Sequence, residues 1–230
     1  MVSINVELKG VRALERKMTG ISRQIPFATA LALTRTAQIV RDAIKNDIGR
    51  VFDRPTRWTL NSLRVEAARK TNLVAKVSIK DIAGRGTPAL EWLKPEVEGG
   101  QRKSKPSERR LKADSALPTN RQTAIGANAK TNKHGNLTRK RVADAMEGAK
   151  KTLSGDTKKQ KYFLMRRGKT PIAIAQRTSK RNMHIVLAFV SAPNYSKKLD
   201  FYGVGQRAAN AALPKEIQKA IEHAIKTARK

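Results

Sequence analysis

The residues able to do chemistry are few and scattered. The chain of 230 residues has three histidines, His134, His184 and His223, and no cysteine. No two of these histidines stand at metal-ligand spacing, and Glu222-His223 lacks the second histidine of a zinc-binding helix. Without cysteine, disulfides, thiolate metal sites and cysteine-held iron–sulfur clusters are excluded. Gly168-Lys169-Thr170 matches the end of a phosphate-binding loop. Such a loop needs a glycine five residues before that one, and position 163 is Phe. No helical pattern follows it, so the triplet reads as a hairpin turn. No Gly-x-Ser-x-Gly elbow occurs. Glu91, Glu96 and Glu98 form the one local acidic group, but they lie among Lys94 and Arg102. Surface ion pairing explains them better than a Mg²⁺ site does. The expectation is a protein that is not an enzyme and holds no metal or cofactor.

Charge carries more information. Lys and Arg total 49 against 18 Asp and Glu, a net charge of +31. Such an excess attracts polyanions or acidic protein surfaces. The densest run is Gln101 to Lys112, with Arg102, Lys103, Lys105, Arg109, Arg110 and Lys112. Three readings stand for these six: a solvated flexible loop, contact with a polyanion, or contact with an acidic neighbouring subunit. Aromatic residues make up 4% of the chain and are almost absent from this run, so base stacking has no platform. No helix-turn-helix, zinc-finger or RNA-recognition signature is present, and any nucleic-acid binding would be blind to sequence. Trp92 and Leu93 make an isolated apolar knot nearby, a candidate for packing between subunits.

The elements that position these residues follow from periodicity. Val2, Ile4, Val6 and Leu8 alternate with Ser3, Asn5, Glu7 and Lys9, a half-buried strand ended by Gly10. Val11, Leu14 and Met18 recur at helical spacing and predict a short helix up to Gly20. The strongest helix runs from Pro26 to Phe52. Leu33, Ala37, Val40, Ile44, Ile48 and Val51 form its stripe, and Pro26 suits a first helical position. Leu63-Val65-Ala67 and Leu73-Ala75-Val77-Ile79 alternate with polar residues and predict a hairpin. From Asp81 to Thr157 apolar periodicity nearly vanishes, apart from one helix over 137–153. Three strands follow, over 162–167, 172–178 and 183–190. The third is apolar on both faces, so it is expected to be central and covered on both sides. A last helix is expected to start near Pro214, with Ile217, Ala220, Ile221, Ala224, Ile225 and Ala228 on its apolar face.

Helices segregated from runs of antiparallel strands argue for the α+β class. The expected architecture is an antiparallel sheet packed by a long helix in the N-terminal half and by a C-terminal helix, with a long basic insertion. Residues 1–80 would form the first half of the core, 81–157 a basic loop-rich insertion or arm, and 158–230 the second half. The opening Met1-Val2-Ser3-Ile4 has no basic segment followed by an apolar one, and no apolar run approaches the roughly 20 residues of a membrane span. A cytoplasmic protein without a membrane partner is expected.

Several segments, taken in order, are similar to one known family. They are Leu8-Lys9-Gly10 with Leu14, then Ile25 to Thr34 opening the long helix. Gly86-Thr87-Pro88-Ala89 follows, with the knot Leu90 to Pro95 and Gly99-Gly100. Lys133-His134-Gly135-Asn136 precedes a helix, and Phe201-Tyr202 leads to Leu213-Pro214. In this order they resemble the phage minor tail protein Z family, the tail completion proteins. The resemblance implies an α+β virion protein that does no chemistry and completes the tail at its head-proximal end. It would act as a ring subunit, expected to be a homohexamer, in the tail or head–tail joining region. The implied partners are further copies of itself, the tail tube or tail terminator protein, head–tail connector proteins, and packaged DNA passing the lumen. Its place would be the virion, after assembly in the host cytoplasm. The alternative, motivated by charge, is a sequence-independent nucleic-acid-binding protein.

Overall fold

The computed structural model describes residues 2–7, 24–84, 86–156 and 160–227. The first stretch of chain runs β1 (Ser3–Glu7), α1 (Ile25–Val51), α2 (Arg57–Leu60), β2 (Leu63–Glu66), β3 (Val74–Ile79) and α3 (Ala89–Glu98). Next come β4 (Gly100–Gln101), α4 (Pro106–Ala113), β5 (Arg121–Ile125) and α5 (Arg139–Leu153). They are followed by β6 (Tyr162–Arg167), β7 (Thr170–Arg177), β8 (Met183–Ser191) and β9 (Asn194–Tyr195), and the last helix is α6 (Phe201–Thr227). All strand pairs are antiparallel, and the class is α+β as expected. The strand end at Leu8 and Gly10, the short helix over Val11, Leu14 and Met18, and Ala228 lie outside the described residues. No helix among the described residues is long and apolar enough to cross a membrane.

The chain divides into two compact units, one of residues 1–99 with 196–230 and one of residues 100–195. In the first, β3 lies between β1 and β2. The expected stripe of α1 is the buried one: Leu33, Ala37, Val40, Ile44 and Ile48 are fully inside, against Val2, Val6, Val77 and Ile79. Ala28 and Ala32 of α1 meet Ala220 and Ala224 of α6. Further along α1, Val40 lies beside Gly205, where an added Cβ would also fall 2.0 Å from the Ile4 Cδ1. The two long helices therefore run antiparallel, brought close by small side chains.

The start of α6 corrects the sequence reading. The helix begins at Phe201, and Pro214 lies inside it. Asp200 supplies the start: its carboxylate accepts from the Gly203 N–H at 2.9 Å and pairs with Arg207 at 3.0 Å. This is an N-cap, which satisfies a backbone donor that the helix leaves open. The following turns pack through glycine and alanine, so no periodic row of large residues announced them.

The second unit holds a four-stranded sheet in the order β5-β8-β7-β6, with β8 interior as its two apolar faces predicted. Gly168-Lys169 is the turn of the β6–β7 hairpin. Arg167 pairs with Thr170, and Gly168 has φ of 60°, as a two-residue turn that matches strand twist requires. Helices α4 and α5 supply the apolar cover of one face, through Leu111, Ala145 and Ala149 against Leu164, Ile174 and Phe189. The division of the chain is thus not the expected one. Residues 162–191 were expected to complete the core begun by 1–80, yet they share a sheet with β5 from the supposed loop region. The boundaries fall at Gly100 and Tyr195, because the wholly apolar β8 takes β5 as its second neighbour.

Helix α5 rests directly on strand β6 at Gly148, where a Cβ would lie 2.2 Å from the Tyr162 carbonyl oxygen. Inside an ordinary helix, glycine to alanine gains up to about 1 kcal/mol. Here the contact is with backbone, and Gly148→Ala is expected to cost about 1–3 kcal/mol through overpacking. Urea unfolding of the variant reads the sign directly.

Candidate acidic-partner or polyanion surface

The basic run Gln101 to Lys112 is not an arm. Gly100 and Gln101 pair with Tyr195 and Asn194, and Pro106 to Ala113 form α4. Pro106 opens the helix where its missing N–H is harmless. Glu108 at the third helical position accepts from the Lys105 backbone N–H at 2.7 Å, half of a capping box.

Glu108 is fully buried, and Arg102 closes on it with two hydrogen bonds of 2.8 and 2.7 Å. The same carboxylate accepts from the Thr123 N–H at 2.8 Å and the Thr123 hydroxyl at 2.9 Å. Arg102 also donates to the Tyr195 hydroxyl at 3.3 Å and the Lys103 carbonyl at 3.1 Å, and reaches the Thr123 carbonyl at 3.5 Å. Strand β5 is an edge of its sheet, so the free N–H and C=O of Thr123 are met by an ion pair instead of a further strand. Burial alone would raise the Glu108 pKa. The Arg102 hydrogen bonds, the Thr123 and Lys105 backbone N–H groups and the Thr123 hydroxyl outweigh it, holding the carboxyl at about 2 against an ordinary 4.5.

The six basic candidates therefore part company. Arg102 is removed from any outside partner: its side chain is 10% exposed and committed to Glu108. Arg109 and Lys112 turn back to the Ser104 carbonyl and hydroxyl, at 3.3 and 3.2 Å. The Lys105 ammonium lies below the usual lysine range, because surrounding protein reduces its hydration and Arg102 adds like charge. Lys103, Lys105, Arg109 and Arg110 are all exposed. Trp92 and Leu93 are corrected more sharply. Leu93 is fully buried in the first unit's core and Trp92 packs against it half-buried, so their apolar surface is used within the chain.

Arg110 joins residues the sequence did not single out. Together with Arg139 and Lys150 it rims a groove of about 590 Å³ between α4 and α5, floored by Leu137, Val142 and Met146. Asp114 and Glu147 line the same groove, and Glu147 pairs with Lys151 at 2.7 Å. The helix side of this unit is thus mixed in charge. The sheet is not: from Lys161 to Tyr195 the sequence has Lys161, Arg166, Arg167, Lys169, Arg177, Lys180 and Arg181, and no Asp or Glu. The ion pairs described in this unit, Arg102–Glu108, Lys140–Asp144 and Lys151–Glu147, leave all seven out.

The other sequence candidates stay apart. Lys94 pairs with Glu98 at 3.5 Å, as a surface pair would. The Glu96 carboxyl is raised by burial, with Lys198 opposing. Among the described residues no three His, Asp or Glu side chains gather as a metal site requires. No family model, curated protein or solved structure matches the chain.

The clamp gives a pH dependence of definite sign. The Glu108 pKa is lowered by folding, so its contribution is complete above pH 4.5 and is lost as pH falls toward 2. A shift of this size corresponds to about 3 kcal/mol. Glu108→Gln leaves Arg102 buried without its counter-charge and is expected to cost about 3–5 kcal/mol at neutral pH. Urea unfolding across pH should find the variant weaker and its acid dependence flatter than that of the wild type.

Proposed function

We propose that the chain is a structural virion protein that completes a phage tail at its head-proximal end, as a ring subunit in the tail or head–tail joining region. The observation that carries this reading is where the family-like segments fall in the fold. Of the described ones, all but Leu213-Pro214, which lies inside α6, stand at the start or junction of an element. Ile25 to Thr34 opens α1 and contributes Ala28 and Ala32 to the helix pair. Gly86 to Ala89 leads into α3, which holds the Leu90 to Pro95 knot. Gly99 and Gly100 both have positive φ, of 80° and 89°, where the chain passes from one unit to the other. Asn132 receives the His134 and Asn136 N–H groups in the turn before α5. Phe201-Tyr202 opens α6 directly after its Asp200 cap. Short motifs at capped junctions specify a backbone path, so their order supports a shared architecture better than their length suggests.

The partners follow from this reading: further copies of the chain, a tail tube or terminator protein, and head–tail connector proteins. A second reading, sequence-independent contact with DNA, is favoured by the acid-free run from Lys161 to Arg181. Salt separates the two, because binding through many phosphates weakens steeply as salt rises.

Antibody against this chain, imaged on purified virions, should label one end of the tail beside the head. Label absent from the tail, or spread along packaged DNA released from the particle, would overturn the proposal.

A further inference from the structure

We propose that the face of the β5–β8–β7–β6 sheet turned away from α4 and α5 docks a partner protein whose own surface sets an apolar patch beside acidic groups. This deepens the reading of the chain as an assembly subunit and rests on it for the partner's setting, not for its chemistry.

The register defines the face. Phe163 stands opposite Ala175, Ala175 opposite Ile185, and Arg177 opposite Met183. Side chains of directly paired residues share a side of the sheet. Leu164, Ile174 and Leu187 occupy the other side, in the core beneath the helices. A bulge between Ile174 and Ala175 places both Val186 and Leu187 in that core, and so keeps Ile185 on the far side. The Arg177 guanidinium lies 5.3 Å from the Phe163 ring centre, which fits the shared side.

No helix of this unit covers that face in the contacts described, and its exposed apolar side chains lie at the start of β8, beside Arg177. Met183 is 57% exposed and Ile185 39%. Phe163 and Met165 are half-buried, and Ala173 and Ala175 at the centre of the face are buried, at 2% and 0% exposure. Arg177 at one end and Arg167 at the other are exposed, and the strands that carry them contain no carboxylate. Exposed apolar side chains beside cations of one sign make a docking surface in which burial supplies affinity and charge chooses the partner.

Three occupants compete, and the chemistry favours one. A second copy would bring the same cations to the same place, which costs affinity through like charge. Nucleic acid would present phosphates to Met183 and Ile185 and gain nothing from covering them. Its bases would need exposed aromatic rings, and the one ring here already lies under Arg177. An acidic protein with an apolar patch satisfies both parts of the face.

Fluorescence anisotropy on the full chain tests this with three probes: a short peptide of alternating glutamate and leucine, polyglutamate of the same length, and a DNA duplex. The mixed peptide should bind about tenfold more tightly than polyglutamate. Met183→Ser with Ile185→Ser should erase that margin and leave polyglutamate and DNA binding unchanged. Arg167→Gln with Arg177→Gln should weaken both peptides. All four positions are exposed strand residues, and an unchanged thermal unfolding midpoint shows that the variants fold. Equal affinity for the two peptides would overturn the proposal. So would DNA binding that falls with the Met183 and Ile185 substitutions, which would make the face a nucleic-acid surface. These measurements use purified protein and never ask where it resides, so they can fail while virion labelling succeeds, and the reverse.

Discussion

The unit of residues 100–195 depends on one buried charge. Glu108 has no exposed surface, and an unpaired carboxylate there would cost several kcal/mol. It is stable because four separate groups converge on it: the Arg102 guanidinium, two backbone N–H groups and the Thr123 hydroxyl. These groups come from three different local structures. Arg102 follows β4, Lys105 starts α4, and Thr123 is the middle of β5. A single side chain therefore ties the helix start to the sheet edge and to the short β4–β9 pair. The positive charge of Arg102, which looks from sequence like part of a sticky run, is consumed in holding that junction.

This consumption shapes what remains for partners. The acidic residues of the unit are Glu108, Asp114, Asp144, Glu147 and Asp156, none of which lies in a strand. Helices α4 and α5 use them for capping and for short-range pairs with lysine. Among the described residues, the ion pairs of this unit leave out the cations of β6, β7 and their turns. Charge in this unit is thus divided by element: its carboxylates all lie outside the strands, three of them in ion pairs, while the strands carry cations alone. The +31 of the whole chain is less informative than this local division.

Much of the fold was legible in the sequence. Strict alternation gave β1, β2 and β3, and a stripe of aliphatic residues gave α1, because those elements bury large side chains at a fixed period. The interior place of β8 was legible from its two apolar faces. What escaped did so for identifiable reasons. Helix α4 buries only Leu111 and Glu108, so no apolar period marks it, although Pro106 with Glu108 two residues on is a legible helix start. The first turns of α6 pack through glycine and alanine beside Ile4 and Val40. Of the site, the basic run was visible, but its sorting was not. Nothing in the spacing of Arg102 distinguishes it from Lys103, because its partners Thr123 and Tyr195 lie 21 and 93 positions away. The carboxylate-free strands, by contrast, stand in plain view in the sequence, and only their register shows that they frame a surface.

The central claim is that the basic run is a fixed structural element held by Glu108, not a mobile arm. Native-state hydrogen exchange of the full chain tests it at the Thr123 amide, which points away from its sheet and into the Glu108 carboxylate. The account predicts protection of that amide and of the α4 amides, with the Thr123 protection lost selectively in Glu108→Gln. Rapid exchange across 102–112 and at Thr123 in the wild-type protein would contradict it.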